Sequence, residues 1–134
     1  MKHISSKCIY PRGGEAKENV RLVLASKCKD QMSVFVWTAK RSLKHIVSGY
    51  CIKPKGELLV LHGKCDSMPS MAFKYNGNKP ERNLVNIMTR QSVRPLVGNF
   101  NTRPGISVVL RQSVSATNMF MFESKCFFYH SYFF

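Results

Sequence analysis

The chain repeats itself, and a period of about forty residues constrains its fold more than any other feature of the sequence. With Cys8 laid on Cys51, Met1-Lys2-His3-Ile4 corresponds to Leu43-Lys44-His45-Ile46, and Cys8-Ile9 with Pro11 to Cys51-Ile52 with Pro54. Leu22-Val23-Leu24 then falls on Leu59-Val60-Leu61, Lys27-Cys28 on Lys64-Cys65, and the pair Phe35 and Trp37 on Phe73 and Tyr75. A third copy follows when Pro95 is placed on Pro54. Leu84, Ile87, Val93, Val108, Val109, Leu110, Phe120 and Phe122 then take the same apolar positions. Pro11, Pro54 and Pro95 stand 43 and then 41 residues apart.

Each copy reads as four short strands: the Lys-His-Ile segment, the Cys-Ile-x-Pro segment, the apolar triplet and the alternating aromatic segment. Gly13-Gly14, Lys55-Gly56, Asn76-Gly77 and Pro104-Gly105 supply the turns between them. No segment sustains a 3.6-residue apolar stripe, so helix is expected to be minor. Four-stranded units repeated three times bury their apolar faces best around one axis, with six strands closing a barrel and six capping it as hairpins. The expected fold is therefore all-β, a β-trefoil, with repeats over about 1–41, 42–83 and 84–124 in a single domain over 1–124. A propeller has blades of similar length, but three cannot close a ring. A β-sandwich leaves the threefold repeat without a reason.

A length of 134 residues fits one domain, and no stretch approaches the ~18 apolar residues that span a bilayer. The 21 Lys and Arg against 7 Asp and Glu give a net charge of +14. So few carboxylates leave little material for acid/base pairs or hard-metal cages, and the charge favours anionic partners. It is spread along the chain at +6, +4 and +4 over 1–41, 42–83 and 84–134. A nucleic-acid arm or recognition helix would concentrate it, so a solvated basic surface is the better reading and specific nucleic-acid recognition is not expected.

The five cysteines show none of the close spacings of a zinc knuckle, so neither a metal nor another cofactor is expected. They read instead as the pairs Cys8 with Cys28 and Cys51 with Cys65. The third copy supports this, because Ser92 and Val114 hold both of its cysteine positions, and a disulfide loses its partners together. Paired cysteines suit an oxidising compartment, and a secreted or extracellular setting is expected although Met1 opens on a structured motif rather than an apolar leader. Cys126 is left over, beside a tail over 125–134 that matches no part of the repeat. This tail carries Phe127, Phe128, Tyr129, Tyr132, Phe133 and Phe134 and is expected to promote self-association.

The order of Ser-x-Lys-Cys or Ser-Gly-x-Cys, then Pro and Gly, an apolar triplet, a second Cys and an aromatic pair resembles the ricin B-type β-trefoil lectins over residues 1 to about 124. The resemblance implies intra-repeat bridges at Cys8 to Cys28 and Cys51 to Cys65, and core aromatics at Phe35, Phe73 and Phe120 near the place of that family's Q-x-W tryptophan, whose glutamine is not retained. It implies a non-enzymatic carbohydrate-binding module. The sugar-binding aspartate of that family is replaced by Tyr10, Lys53 and Arg94, however, and the residues after the triplet are Ala25, His62 and Arg111, of which only His62 offers a ring.

Lys53 and Arg94 donate without accepting, which suits sulfate, carboxylate or phosphate, so acidic or sulfated glycans are expected over neutral ones. The candidate ligand-binding residues are Tyr10, Lys53, His62, Arg94 and Arg111, with Arg12 at the start of the longer loop wall of the first repeat. The same residues also read as ordinary exposed positions on a surface hairpin. Glycans or other polyanions of a cell surface or matrix are the partners in view. A heparin-binding signalling or matrix protein of this fold and a ligand-free paralogue remain alternatives. His3, His45 and Asn86 recur at one strand end, where a structural hydrogen bond explains them better than catalysis. The chain has neither a nucleophile elbow nor a phosphate loop. Met71, Met119 and Met121 read as core filler.

Overall fold

The computed structural model describes residues 1–3, 5–65, 68–76, 83–97, 103–112 and 120–121. Expectations placed on Gly77, Val114, Met119, Phe122, Cys126 and the tail over 125–134 lie outside the described residues. Twelve short strands are described, in three sets of four. The first set is β1 (Lys2–His3), β2 (Cys8–Pro11), β3 (Leu22–Ala25) and β4 (Phe35–Trp37). The second is β5 (Leu43–His45), β6 (Cys51–Lys55), β7 (Leu58–His62) and β8 (Phe73–Asn76). The third is β9 (Asn83–Asn86), β10 (Ser92–Pro95), β11 (Val108–Arg111) and β12 (Phe120–Met121). Three single-turn 3-10 segments, Arg12–Gly14, Gln31–Ser33 and Pro69–Met71, are the helical content among the described residues.

The last strand of each set pairs antiparallel with the first strand of the next: β4 with β5, β8 with β9, and β12 with β1, which closes the circle. Within each set the second and third strands form a hairpin, and the three hairpins share one register. Ile9 faces Leu24, Ile52 faces Leu61, and Val93 faces Leu110. The hairpins also lock onto one another in rotation, through Arg21 with Val60, Leu58 with Val109, and Ser107 with Val23. At each seam the same backbone bond recurs: Leu61 donates to Val20, Leu110 to Glu57 and Leu24 to Ile106, at 3.0, 2.8 and 2.9 Å. This pseudo-threefold closure is the trefoil arrangement that the repeat implies.

Strand alternation explains what lies inside. Side chains two apart share a face, so Ile9, Leu22 and Leu24 enter the core together with Ile52, Leu59 and Leu61, and with Val93, Val108 and Leu110. Phe35 and Phe73 fill the same core at 3% and 1% exposure, and Met71 is fully buried. Trp37 and Tyr75, equivalent in the first two sets, meet edge to face at 6.1 Å and are only partly buried. The second hairpin is the tightest. Gly56, at φ +61, opens a two-residue turn in which a positive φ at the first position matches the strand twist.

The recurrent polar strand end is structural. Ser48 bonds Nδ1 of His45 at 2.8 Å and the Met32 carbonyl bonds Nε2 at 2.8 Å, so both ring nitrogens are engaged. Asn86 plays the same part, donating Nδ2 to the Ser70 carbonyl at 2.8 Å while Oδ1 accepts from the Met88 and Thr89 amides. His3 Nδ1 bonds Ser5 at 2.8 Å. Burial, assisted by Lys7, lowers the His3 pKa to about 4, and burial lowers that of His45.

Candidate functional site

Each hairpin has a core face and an outward face, and the candidate ligand residues lie on the outward one. On β2 and β3 this face carries Cys8, Tyr10, Val23 and Ala25. On β6 and β7 it carries Cys51, Lys53, Val60 and His62, and on β10 and β11 Ser92, Arg94, Val109 and Arg111. The bridges Cys8–Cys28 and Cys51–Cys65 are formed, each with 5.2 Å between Cα atoms. Each ties the first strand of its hairpin, β2 or β6, to the turn that follows the hairpin's second strand, β3 or β7.

The first face is closed. Tyr10 is buried against Val23, Ala25 and Met32. Its hydroxyl donates to Asp30 Oδ2 at 3.2 Å, and burial together with the Asp30 carboxylate raises its pKa. The ring is covered and does not offer a stacking platform. Arg12 is exposed at the start of the loop, where its amide donates to the Arg21 carbonyl at 2.9 Å.

On the second face a residue from the first repeat joins the site. Glu18 reaches across the seam, its Oε2 at 2.6 Å from His62 Nδ1, while the Gly63 amide donates to Oε1 at 2.7 Å. The His62 bond first and the Gly63 bond second, with lesser help from the charges nearby, hold the Glu18 carboxyl below its ordinary range against the opposing effect of desolvation. Gly63 eases this approach, since a Cβ there would lie 3.0 Å from Oε1 and the Glu18 carboxylate would have to give way. The structure thus brings Lys53, His62 and Glu18 together. Sequence reading missed Glu18 because it belongs to a loop 44 residues from its partner and has no counterpart in the other repeats.

On the third face Glu57 plays a comparable part. Arg111 donates to Glu57 Oε2 at 3.1 Å and to the Leu96 carbonyl at 3.3 Å. Arg94 sits diagonally across the strand pair on the same face, a placement that leaves long side chains within reach of each other. Its Nε is buried and has no hydrogen-bond partner among the described residues. No group of three or more His, Cys, Asp or Glu among the described residues is placed to hold a metal ion.

A family model described as alpha-D-galactose-binding lectin matches residues 1–125. The chain belongs to that lectin family. The resemblance to β-trefoil lectins therefore holds at the coarser level, and the family shown is the galactose-binding one. Its fold is shared with solved structures of low identity. A designed threefold-symmetric protein, ThreeFoil, superposes with a TM-score of 0.72 at 11% identity, over 89% of this chain and 91% of that one. The C-terminal half of the earthworm R-type lectin, solved with GalNAc, gives 0.73 at 11% identity, over 90% and 92%. The hemolytic lectin CEL-III gives 0.74 at 14% identity over 91% of this chain, which spans 28% of that protein. No curated protein matches the sequence. Among the described residues no helix is long and apolar enough to cross a membrane.

Proposed function

We propose that this lectin-family protein is a non-enzymatic, extracellular carbohydrate-binding module that recognises acidic glycans through the outward faces of its hairpins. The observation that carries this reading is the placement of two guanidinium side chains, Arg94 and Arg111, diagonally on the outward face of the third hairpin. A guanidinium binds sulfate or carboxylate in bidentate fashion, which a neutral hydroxyl cannot match. Lys53 places a second cation at the corresponding point of the second face. Membership of a lectin family supports glycans as the ligand class, and the two disulfides support an oxidising setting.

The family's named sugar gives a second reading, favoured by one cluster. Glu18 supplies an acceptor beside the donors His62 and Lys53, a combination suited to the hydroxyls of a neutral sugar. A glycan array holding galactosides, sulfated sugars and carboxylated sugars, read at low and high salt, separates the two. Binding to sulfated or carboxylated sugars that weakens at high salt and is lost in Arg94→Ala supports the acidic reading, because exposed charges are screened within ~8 to 10 Å. Binding to galactosides that ignores salt and is lost in Glu18→Ala replaces it with the neutral one. An array with no binding overturns both.

A further inference from the structure

The first hairpin has no cation at either point where the other two carry them, since Tyr10 is buried and Ala25 has no charge. Two further exposed cations, Lys27 and Lys29, lie in the turn after β3. A cleft of about 390 Å³ opens there, lined by Ser6, Ser26, Lys27, Cys28, Lys29 and Asp30.

The walls are held in place independently of any ligand. On one side the turn at Ser6, at φ +71, is closed by the Ser6 amide donating to the His3 carbonyl at 2.8 Å, and Cys28 Sγ lies 3.5 Å from the Ser6 carbonyl. On the other side the Asp30 amide donates to the Lys27 carbonyl at 3.0 Å, and the Ser33 hydroxyl donates to the same carbonyl at 2.8 Å. The one carboxylate in the lining is already engaged at both oxygens, by the Met32 amide at 2.9 Å and the Tyr10 hydroxyl at 3.2 Å. Lys27 and Lys29 are exposed and have no ion-pair partner among the described residues. The lining residues with donor side chains are therefore Lys27, Lys29, Ser6 and Ser26. The second repeat keeps the bridge and Lys64 but has Gly49 and Gly63 where the first has Ser6 and Ser26, so this donor set belongs to the first repeat alone.

We propose that the cleft beside the Cys8–Cys28 bridge is a subsite for one anionic group of a saccharide, a sulfate ester or a carboxylate, held by Lys27 and Lys29 with the Ser6 and Ser26 hydroxyls. The saccharide part rests on the function proposed above, whereas the affinity for an anion does not. Inorganic sulfate titrated at constant ionic strength against chloride should move the backbone amide signals of residues 26–30 saturably. The shifts should vanish in Lys27→Ala/Lys29→Ala and return in Lys27→Arg/Lys29→Arg. Both pairs are exposed, and an unchanged spectrum elsewhere shows that the fold is intact.

A sulfated oligosaccharide and an unsulfated uronate oligosaccharide are then compared on the same proteins. The preferred one should lose about tenfold or more in affinity in the double alanine variant, as expected when charge-assisted bonds are removed. Sulfate shifts that fail to saturate, or that persist in the alanine variant, overturn the subsite. So does equal saccharide affinity in both proteins, an outcome that leaves the lectin reading standing. Saturable sulfate shifts with no binding of either acidic saccharide would uphold the anion site and remove the acidic-glycan reading.

Discussion

The two faces of the three hairpins differ in how far the repeats agree. Inward, the positions of Ile9, Ile52 and Val93 and of Leu24, Leu61 and Leu110 are interchangeable, and all six side chains are buried around one pseudo-threefold axis. Outward, the corresponding positions hold Tyr10, Lys53 and Arg94, and Ala25, His62 and Arg111, and neither set keeps one chemistry across all three repeats. A core built around an axis makes every repeat a neighbour of the other two, so a change in one is felt by all three. Close packing enforces that, because interiors tolerate little change in volume. An outward side chain lies away from that axis and meets only its local surroundings, whether water or a covering residue such as Met32 over Tyr10, and can change alone.

Breaking the inward symmetry should have the largest effect. Phe73→Ala removes a ring that is 1% exposed, and Phe35→Ala its equivalent at 3%. Each should cost about 3 to 5 kcal/mol in denaturant unfolding. A midpoint unchanged within error would show that the core is not shared as described.

Next in size is the crosslink. Removing Cys51–Cys65 as a double alanine variant frees a loop with a sequence separation of 14 and should cost about 3 kcal/mol, mainly through the unfolded chain. The third repeat folds with Ser92 at a cysteine position, so the variant should stay cooperative. Loss of a single unfolding transition would show the bridge to be needed for the fold itself.

The polar strand end allows a smaller test. Burial holds His3 neutral down to about pH 4 in the fold, whereas an exposed histidine titrates near 6.5. Above pH 6.5 both states are neutral and there is no effect. As the pH falls from 6.5 towards 4, the unfolded chain takes up a proton that the folded one does not, so stability declines across that window. His3→Asn installs the third repeat's residue and should flatten that decline in unfolding midpoints measured between pH 7 and 4. An unchanged slope would assign the decline to other groups, His45 first.

The smallest effect should come from the outward clasp. Glu18 titrates below its ordinary range in the fold, so its contribution to stability is present above the usual carboxylate pKa and is lost as the pH falls through the folded value. Glu18→Gln should remove that dependence with little change at neutral pH, since half-exposed ion pairs are worth little. A large loss at pH 7 would mean that the clasp holds the seam between repeats.

Local and periodic signals were legible in the sequence because they do not depend on where distant loops go. Period-2 alternation marked the hairpin strands, the joint absence of cysteines at Ser92 and Val114 supported the two bridges that are formed, and the recurrence of Lys-His-Ile marked a strand end that proved to be a hydrogen-bond position at His45. The repeat also implied the threefold axis, since four-stranded units of this length bury their apolar faces only in company. The tertiary structure alone decided what surrounds each candidate ligand residue. Glu18 reaches His62 across 44 residues and Glu57 reaches Arg111 across 54, from loop positions that are not equivalent in the repeat. Tyr10 resembled an exposed hairpin residue until Met32 and Asp30 were seen to cover it and bond it. The cleft at Lys27 and Lys29 exists because a disulfide and a left-handed turn at Ser6 bring two separated segments side by side. Hydrophobic periodicity is a property of a strand and can be read along the chain, but a binding surface forms where loops from different repeats meet, and only the closed fold determines which loops those are.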